Sequence, residues 1–293
     1  MYAEEDHVKR SVNRPCSVVV IGGGMAGLEA ACTAAEVGCQ VFLLEKKSQL
    51  GGMTREIALL PEKSRIMDCV NYQVRRAQKQ RNLHIFINVN ATIEQIASFH
   101  PDIIVNATGS VPVVPSVKGA ERIGTDGKVN SVMGMIHELD RCGEISGKKV
   151  AVIGGGAVGM DVMEYFARRD AEVTVVEMFR DFGGNLDPVS QTGIRNLIRE
   201  KQVKLLMETK LCEIADGKFM LENSRGTLEL PFDYGFVCTG LRANVPILTQ
   251  LEERFSGTAR VLNIGNSFRP RQIIDCVAEG RNILLTLEAM SFL

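Results

Sequence analysis

The stretch VVVIGGGMAG at residues 18–27 is repeated as VAVIGGGAVG at residues 150–159. Each copy places the pattern G-x-G-x-x-G directly after an apolar run, and a glutamate, Glu45 or Glu177, follows the first glycine at the same distance of 23 residues. One such motif is weakly diagnostic, but two copies that share strand, turn, helix and acid are not expected by chance. The sequence therefore predicts two dinucleotide-binding sites.

The three glycines of this pattern have separate roles. The first makes the turn from strand to helix, the second lets the backbone approach a pyrophosphate, and the third lets the helix pack on the strand. The free N–H groups and the dipole of the helix then bind the phosphates. The predicted glycines are Gly22, Gly24 and Gly27 in the first copy and Gly154, Gly156 and Gly159 in the second.

The two acids are predicted to bind the ribose of an adenosine. Glu45 and Glu177 each end the second strand of their copy, where a carboxylate accepts hydrogen bonds from ribose hydroxyls. A carboxylate at Glu177 repels a 2′-phosphate, so the sequence favours NADH over NADPH in the second site. Arg180 in the same loop leaves NADPH as the alternative, because an arginine there can bind a 2′-phosphate.

The order of the predicted elements indicates an α/β fold with two Rossmann-like dinucleotide-binding domains, the second inserted into the first. The final strand at 261–266 and the helix at 270–279 have no counterpart in the second copy, so we expect the chain to return to the first domain. The predicted parts are a linker or leader at 1–15, a discontinuous first dinucleotide-binding domain at 16–113 plus 231–293, and a second dinucleotide-binding domain at 114–230.

Composition excludes several other classes of protein. The chain has 293 residues, 45% hydrophobic and 24% charged, with a net charge of −1, which gives no basic surface for nucleic acid and no apolar run long enough for a membrane span. Its 8 cysteines form no C-x-x-C pair, so the sequence predicts no metal or iron–sulfur site. Several lie among apolar residues, which favours a reducing compartment, and we expect a cytoplasmic protein.

The motifs together resemble a known family. Beside the two glycine motifs stand ATG at 107–109, TG at 239–240, GGMTREIALLP at 51–61 and IGNSFRPRQIIDCVAEG at 264–280. In this order they resemble the two-dinucleotide-domain flavoproteins of the pyridine nucleotide-disulfide oxidoreductase type. More closely, they resemble the C-terminal FAD/NAD(P)-binding half of the NADH:flavin oxidoreductases related to old yellow enzyme, the group of 2,4-dienoyl-CoA reductase, enoate reductase and trimethylamine dehydrogenase.

The resemblance implies FAD and NAD(H) as cofactors, with NADP(H) less favoured. It implies no catalytic acid or base and no metal, because hydride passes between two cofactors that the protein positions. The residues that it places at FAD are Gly22, Gly24, Ala26, Gly27, Glu45, Lys46, Gly52, Arg55, Ala107, Thr108, Gly109, Gly265, Asn266 and Arg271. The residues that it places at NADH are Gly154, Gly156, Val158, Gly159 and Glu177.

The sequence departs from the family pattern in three ways. Asn266 stands where the family has an aspartate that binds the flavin ribityl chain, and Asp161 stands where the second motif has a glutamate. The N-terminal FMN-binding barrel and its iron–sulfur cysteines are not in this sequence. The resemblance therefore implies a reductase half whose partner is an FMN/iron–sulfur barrel domain or subunit. Two alternatives stay open, namely a non-catalytic domain that holds only ADP, and a reductase similar to the small subunit of glutamate synthase.

Overall fold

The chain folds into two compact units. A computed structural model describes residues 11–125, 127–131, 133–134, 136, 144–184, 186–244 and 247–293. Unit 1 comprises Met1–Leu59, Lys63–Val111 and Arg242–Leu293, and unit 2 comprises Leu60–Glu62 and Pro112–Leu241. The predicted α/β fold with an inserted second domain is confirmed. Of the leader expected at 1–15, residues 1–10 lie outside the described residues.

The strands and helices follow the predicted pattern closely. Within the described residues the strands are β1 (Ser17–Ile21), β2 (Gln40–Leu44), β3 (Leu83–Phe86), β4 (Ile103–Asn106), β5 (Ser110–Pro112), β6 (Val129–Ser131), β7 (Lys149–Ile153), β8 (Glu172–Val176), β9 (Lys204–Leu206), β10 (Lys210–Ala215), β11 (Lys218–Asn223), β12 (Gly226–Pro231), β13 (Tyr234–Val237), β14 (Leu241–Ala243) and β15 (Arg260–Asn263). The α-helices are α1 (Met25–Glu36), α2 (Gly52–Ile57), α3 (Ile66–Gln78), α4 (Ile93–Ser98), α5 (Ala157–Ala167), α6 (Pro188–Glu200), α7 (Leu248–Arg254), α8 (Ile273–Arg281) and α9 (Ile283–Ala289). Short 3-10 helices occupy Pro61–Lys63, Ala120–Arg122 and Gly265–Ser267. None of these helices is long and apolar enough to cross a membrane.

Unit 1 is built on a five-stranded parallel sheet in the order β15-β4-β1-β2-β3. Both faces of this sheet are covered, which explains the continuous apolar run of β1. Val18 and Val20 pack into one cluster with α1, while Val19 and Ile21 pack into another with α4 and α7. The first glycine motif therefore lies at the carboxyl end of a strand whose residues Val18 to Ile21 are buried.

Unit 2 repeats this arrangement with a second five-stranded parallel sheet in the order β6-β13-β7-β8-β9. Val150 and Val152 of β7 pack against α5, and Ala151 and Ile153 pack on the other face. That face is covered by the antiparallel strands β10, β11 and β12, whose Phe219 and Leu221 are fully buried. Each sheet packs on one face against the helix that follows its glycine motif. The other face is covered by helices in unit 1 and by antiparallel strands in unit 2.

The sheet of unit 2 contains a strand that the sequence pattern did not indicate. We expected no counterpart in unit 2 to the final strand of unit 1, but β6 occupies the position that β15 holds in unit 1. The edge strand β15 follows the other strands of its sheet in the chain, whereas β6 precedes the others of its sheet. A strand of three residues is too short to produce a recognisable alternating pattern.

The boundaries between the units also differ from the expected positions. The return to unit 1 was expected near 231, but the division falls after Leu241 because β13 pairs with β7 and β6. In addition, the segment Leu60–Glu62 leaves unit 1 and joins unit 2. There Leu60 is buried in the core, and Glu62 pairs with Arg169 Nη1 at 2.7 Å. Which domain binds which nucleotide remains a prediction.

A buried carboxylate holds together the helices of unit 1. Glu29 of α1 is 3% exposed, and its oxygens accept hydrogen bonds from Gln73 Nε2 at 2.5 Å, Arg76 Nη1 at 2.6 Å and Arg281 Nη1 at 3.2 Å. Burial alone would raise the pKa of Glu29, but Gln73 and Arg76 lower it overall. The ionised carboxylate therefore links α1 to α3 and to the end of α8.

We expect Glu29→Gln to lower the free energy of unfolding by about 2 kcal/mol, because it leaves two arginines without their buried counter-charge. Glu36→Gln is the matched control. Glu36 shares Arg76 but is 37% exposed, so its loss should cost less than about 1 kcal/mol. Urea unfolding at neutral pH measures both.

The pH dependence of the Glu29 variant checks the cause. A lowered pKa in the folded state stabilises the protein above the ordinary value of 4.5, and this contribution is lost as the pH falls through the lower, folded value. The difference between wild type and Glu29→Gln should therefore shrink in acid. Equal losses for both variants, or a difference that persists in strong acid, would contradict the assignment.

Candidate dinucleotide-binding sites

The first glycine of each motif forms a turn that admits no side chain. Gly22 has φ +100° and Gly154 has φ +104°, a region that L-residues rarely adopt. A Cβ atom at Gly22 would lie 2.4 Å from the carbonyl oxygen of Ala107, and one at Gly154 would lie 2.3 Å from that of Cys238. Ala107 is thus a packing neighbour of the first turn, and its predicted contact with FAD stays a prediction.

The third glycine of each motif lets the helix lie directly on this turn. A Cβ atom at Gly27 would lie 1.9 Å from the carbonyl oxygen of Gly22, and one at Gly159 would lie 1.8 Å from that of Gly154. Both distances are shorter than any side chain permits, so α1 and α5 reach their positions because a side chain is missing there.

The second glycine of each motif is open. No atom lies within 4 Å of a Cβ atom at Gly24 or at Gly156, and these residues are the N-caps of α1 and α5 with φ of −74° and −73°. Neither N-cap supplies a side-chain hydrogen bond to its helix. Open space therefore lies in front of helix N–H groups, which is the arrangement that binds a phosphate.

The two acids are buried beside these open turns. Glu45 is 5% exposed and accepts hydrogen bonds from the N–H groups of Gly23 at 2.6 Å and Lys47 at 2.7 Å. Glu177 is 8% exposed and accepts from the N–H groups of Gly155 at 2.6 Å and Phe179 at 3.0 Å. A carboxylate offers about four lone-pair positions, so each acid keeps capacity for ribose hydroxyls.

The loop before α2 lies against the first turn. Gly51 donates its N–H to the carbonyl oxygen of Gly23 at 2.8 Å, and a Cβ atom at Gly52 would lie 3.0 Å from Gly24 Cα. Arg55 is tied to the same loop, because its Nε donates to the carbonyl oxygen of Leu50 at 2.7 Å. Gly52 and Arg55 therefore lie on a loop that contacts the first turn, and their contact with FAD stays a prediction.

A polar network supports the residues after β4. Asn106 is fully buried, and its Nδ2 donates to Asn263 Oδ1 of the neighbouring strand at 2.9 Å. Thr108 Oγ1 lies 3.0 Å from Asn106 Oδ1 and 2.5 Å from the carbonyl oxygen of Asn244. Gly109 follows with φ +79° and no atom within 4 Å of a Cβ position. The structure thus places Thr108 and Gly109 at the carboxyl end of the sheet, beside an open position.

The residues near the start of α8 are joined by hydrogen bonds. Asn266 Oδ1 accepts from the Arg271 N–H at 3.0 Å and from Cys276 Sγ at 3.4 Å. The carboxylate of Glu279 accepts from the Gly265 N–H at 2.6 Å and pairs with the Arg271 guanidinium. The asparagine that replaces the family aspartate therefore orders the turn before α8.

The remaining predicted residues lie on the expected elements. Ala26 is buried in α1, and a Cβ atom at Gly265 would lie 2.6 Å from its methyl group. Lys46 is exposed in the loop after Glu45, and Val158 is half-buried in the first turn of α5.

One close pair escaped the sequence analysis. Cys16 and Cys39 are far apart in the chain, but the pairing of β1 with β2 makes them neighbours, and the Gln40 N–H donates to the Cys16 carbonyl oxygen at 2.8 Å. A hydrogen bond between the thiols raises the pKa of Cys16 and lowers that of Cys39. Both side chains are buried in the core of unit 1. Among the described residues, no group of three or more potential ligands could hold a metal ion.

Comparison with known proteins places the chain in a family. Residues 77–258, more than half of the chain, match the pyridine nucleotide-disulphide oxidoreductase family, and residues 17–111 match the FAD dependent oxidoreductases. The chain therefore belongs to the pyridine nucleotide-disulphide oxidoreductase family, whose cofactors are FAD and NAD(H). The chain is thus part of a flavin-dependent oxidoreductase family.

Individual relatives agree with this family. The chain is 39% identical over 180 residues to an NADH oxidase of Thermoanaerobacter brockii, which covers 59% of this chain and 26% of the relative. It is 32% identical over 241 residues to a bilirubin reductase of Mediterraneibacter gnavus, which covers 81% of this chain and 36% of the relative. The structure of a 2-naphthoyl-CoA reductase has the same fold, with a TM-score of 0.81 at 23% identity, covering 94% of this chain and 40% of that one.

These relatives fit the group related to old yellow enzyme, and that resemblance is confirmed. The chain spans about a quarter to a third of the curated relatives that it matches first. The residues present fit both cofactors, because each unit has an open second glycine beside a buried acid.

The contrast between the second and third glycines predicts a large loss of stability at one position and little change at the other. Gly27→Ala should lower the free energy of unfolding by about 3 kcal/mol, because the new methyl group meets the Gly22 carbonyl oxygen. Gly24→Ala is the matched control and should change it by less than about 1 kcal/mol, because its φ suits alanine and the space is open. Thermal unfolding of both variants, without added nucleotide, measures this. Equal destabilisation would show that the close approach is not what fixes α1.

Proposed function

We propose that unit 1 binds FAD, that unit 2 binds NADH, and that the chain is the reductase half of an NADH:flavin oxidoreductase. FAD held in unit 1 would supply the acceptor for a hydride from NADH held in unit 2, and the two electrons would leave for an acceptor domain. The observation that carries this proposal is the duplicated open glycine turn with a buried carboxylate beside it.

In unit 1 the proposed FAD site follows from the contacts around Gly24. The N–H groups at the start of α1 bind the pyrophosphate, and Glu45 accepts hydrogen bonds from the hydroxyls of the adenosine ribose. Gly109, open at the carboxyl end of the same sheet, lets the cofactor approach the backbone. The other proposed FAD contacts are Gly22, Ala26, Gly27, Lys46, Gly52, Arg55, Ala107, Thr108, Gly265, Asn266 and Arg271.

In unit 2 the proposed NADH site repeats these contacts. The start of α5 binds the pyrophosphate at Gly156, with Gly154 and Gly159 shaping the turn and Val158 in the first turn of the helix. Glu177 accepts the 2′-hydroxyl of the ribose and repels a 2′-phosphate, so NADH is preferred to NADPH. The burial of Glu177 strengthens both effects, because charge is less screened there than in bulk water.

The residues of this chain contribute binding and orientation. FAD, when bound, supplies the hydride acceptor and can release electrons one or two at a time. The backbone N–H groups of the two turns and the two buried carboxylates hold the dinucleotides at fixed positions. A side-chain acid or base is not required for this reaction, and we propose none.

The acceptor is proposed to be an FMN/iron–sulfur barrel domain or subunit. The support is the share of the relatives that the chain covers, which leaves most of each relative outside the match. The final substrate would then be determined by that domain. We also propose a cytoplasmic location, because the cysteines within the described residues form no disulfide and most of them are buried.

Separate loss of the two nucleotides tests the assignment of the units. Gly24→Ala should weaken FAD binding at least about tenfold while NADH binding in unit 2 is kept, because a methyl group occupies the pyrophosphate position. Gly156→Ala should do the reverse. Isothermal titration calorimetry with NADH, together with the flavin absorbance of the purified protein, gives both readouts.

Two results would contradict this assignment. One is loss of FAD from Gly156→Ala with retention in Gly24→Ala. The other is mass spectrometry of the nucleotide bound to the wild type that finds ADP instead of FAD. The second result would favour the non-catalytic ADP-binding domain.

The preference for NADH tests Glu177 directly. Glu177→Gln keeps the size of the side chain but removes its charge, so we expect NADH to bind about tenfold more weakly and the discrimination against NADPH to fall. Glu45→Gln is the matched control and should leave NADH binding in unit 2 unchanged. Calorimetric titration with NADH and NADPH measures the effect. An unchanged NADH affinity in Glu177→Gln would show that Glu177 does not bind NADH.

A further inference from the structure

The rims of the two sites differ in charge although their backbones correspond. After the acids, the first copy has Lys46 and Lys47, whereas the second has Met178, Phe179 and then Arg180. Met178 and Phe179 are exposed but uncharged. Arg180 therefore carries the positive charge next to Glu177 in this loop. Arg180 is the residue that could attract a 2′-phosphate into this site.

A second acid stands beside this arginine. Arg180 Nε lies 3.1 Å from Glu208 Oε1, in the segment that follows β9. Their side chains are 89% and 63% exposed, so the pair adds little to folding stability. The pair has a larger effect on the binding of a charged ligand, because a carboxylate close to Arg180 offsets the attraction of that cation for a phosphate.

The backbone fixes Glu208 at the edge of the second site. Glu177 donates its N–H to the Leu206 carbonyl oxygen at 2.9 Å, and Thr209 donates its N–H to the Glu177 carbonyl oxygen at 2.9 Å. Glu208 itself donates its N–H to the Phe179 carbonyl oxygen at 3.0 Å. The segment that carries Glu208 is thus hydrogen-bonded along the whole loop that carries Glu177.

The corresponding position in the first copy is neutral. Asn88 donates its N–H to the Lys47 carbonyl oxygen at 3.0 Å, as Glu208 does to Phe179, and the two residues have φ of +57° and +51°. Asparagine is among the residues that adopt this left-handed region most readily, whereas glutamate is not. Unit 2 therefore accepts a small backbone cost to place a carboxylate at this point.

We propose that Glu208 is a specificity-determining residue of the second site and acts through Arg180. Its carboxylate holds Arg180 by an ion pair and adds a negative charge near Glu177. A ribose with a free 2′-hydroxyl is accepted, and one with a 2′-phosphate is disfavoured. This inference rests on the proposed binding of NADH in unit 2 and extends it to a residue in the segment that follows β9.

The test is Glu208→Asn, which removes the charge and restores the residue found in the first copy. Binding of adenosine 2′,5′-bisphosphate and NADPH should tighten about fivefold, because Arg180 becomes available and one negative charge is lost. Binding of NADH should change by less than about twofold, since its 2′-hydroxyl is neutral. Calorimetry at low ionic strength gives these affinities without any need for flavin reduction. The gain should disappear in about 1 M salt, where charges are screened.

Two further variants show whether the gain runs through Arg180. Adding Arg180→Ala to Glu208→Asn should remove most of the gain. Glu229→Gln is the matched control, because Glu229 is an acid of unit 2 that pairs with Lys218 on the antiparallel sheet, and it should leave the affinity for NADPH unchanged. Glu208→Gln provides a second substitution should Glu208→Asn fold poorly.

The outcomes separate this inference from the proposed function. If the wild type binds NADH but Glu208→Asn and Glu208→Gln leave the affinity ratio of NADPH to NADH unchanged, the role of Glu208 is wrong and the NADH site stands. The same conclusion follows if the gain survives Arg180→Ala. If the wild type binds neither NADH nor NADPH, the proposed function itself fails, and the role of Glu208 fails with it.

Discussion

The close approach of a helix to the turn before it is the constraint on which the rest of this protein depends. In each unit the helix can lie there only because Gly27 or Gly159 has no side chain, with less than 2 Å available for a Cβ atom. This contact directs the N-terminus of the helix to the carboxyl end of the sheet. It also brings the turn within hydrogen-bonding distance of the acid on the next strand. The proposed binding of phosphate and of ribose thus depends on a single packing contact in each unit.

Buried carboxylates have two distinct uses in this chain. Glu29 is surrounded by side-chain cations and amides that satisfy it, and its role is to join helices. Glu45 and Glu177 instead each accept hydrogen bonds from two backbone N–H groups and face open turns. Part of their hydrogen-bonding capacity is therefore unused. A buried anion with unused acceptors beside a helix N-terminus is suited to a ligand that presents both hydroxyls and phosphates. This difference in partners separates the structural acid from the proposed ligand-binding acids.

Local patterns in the sequence were sufficient for most elements and for the glycine turns. A positive φ at Gly22 and close packing at Gly27 are properties of single residues, and the motif reports them directly. Pairings between distant segments were not predictable in the same way. The short strand β6, the position of β13 in the second sheet, the neighbouring thiols of Cys16 and Cys39, and the insertion of Leu60 into unit 2 all depend on contacts that no local pattern records. Glu208 was missed for a similar reason, although its equivalence to Asn88 could be found by aligning the two copies.

The strands β5 and β14 pair with each other where the chain enters and leaves unit 2. The two ends of unit 2 are therefore neighbouring strands, about 5 Å apart. Recombination that replaced everything between them would deliver a new unit to the same two attachment points and leave the first sheet intact. The segment Leu60–Glu62, which also belongs to unit 2, would need to be adapted to the new core. Exchange of this one continuous gene segment would thus replace the unit proposed to bind the electron donor and keep the unit proposed to bind the flavin.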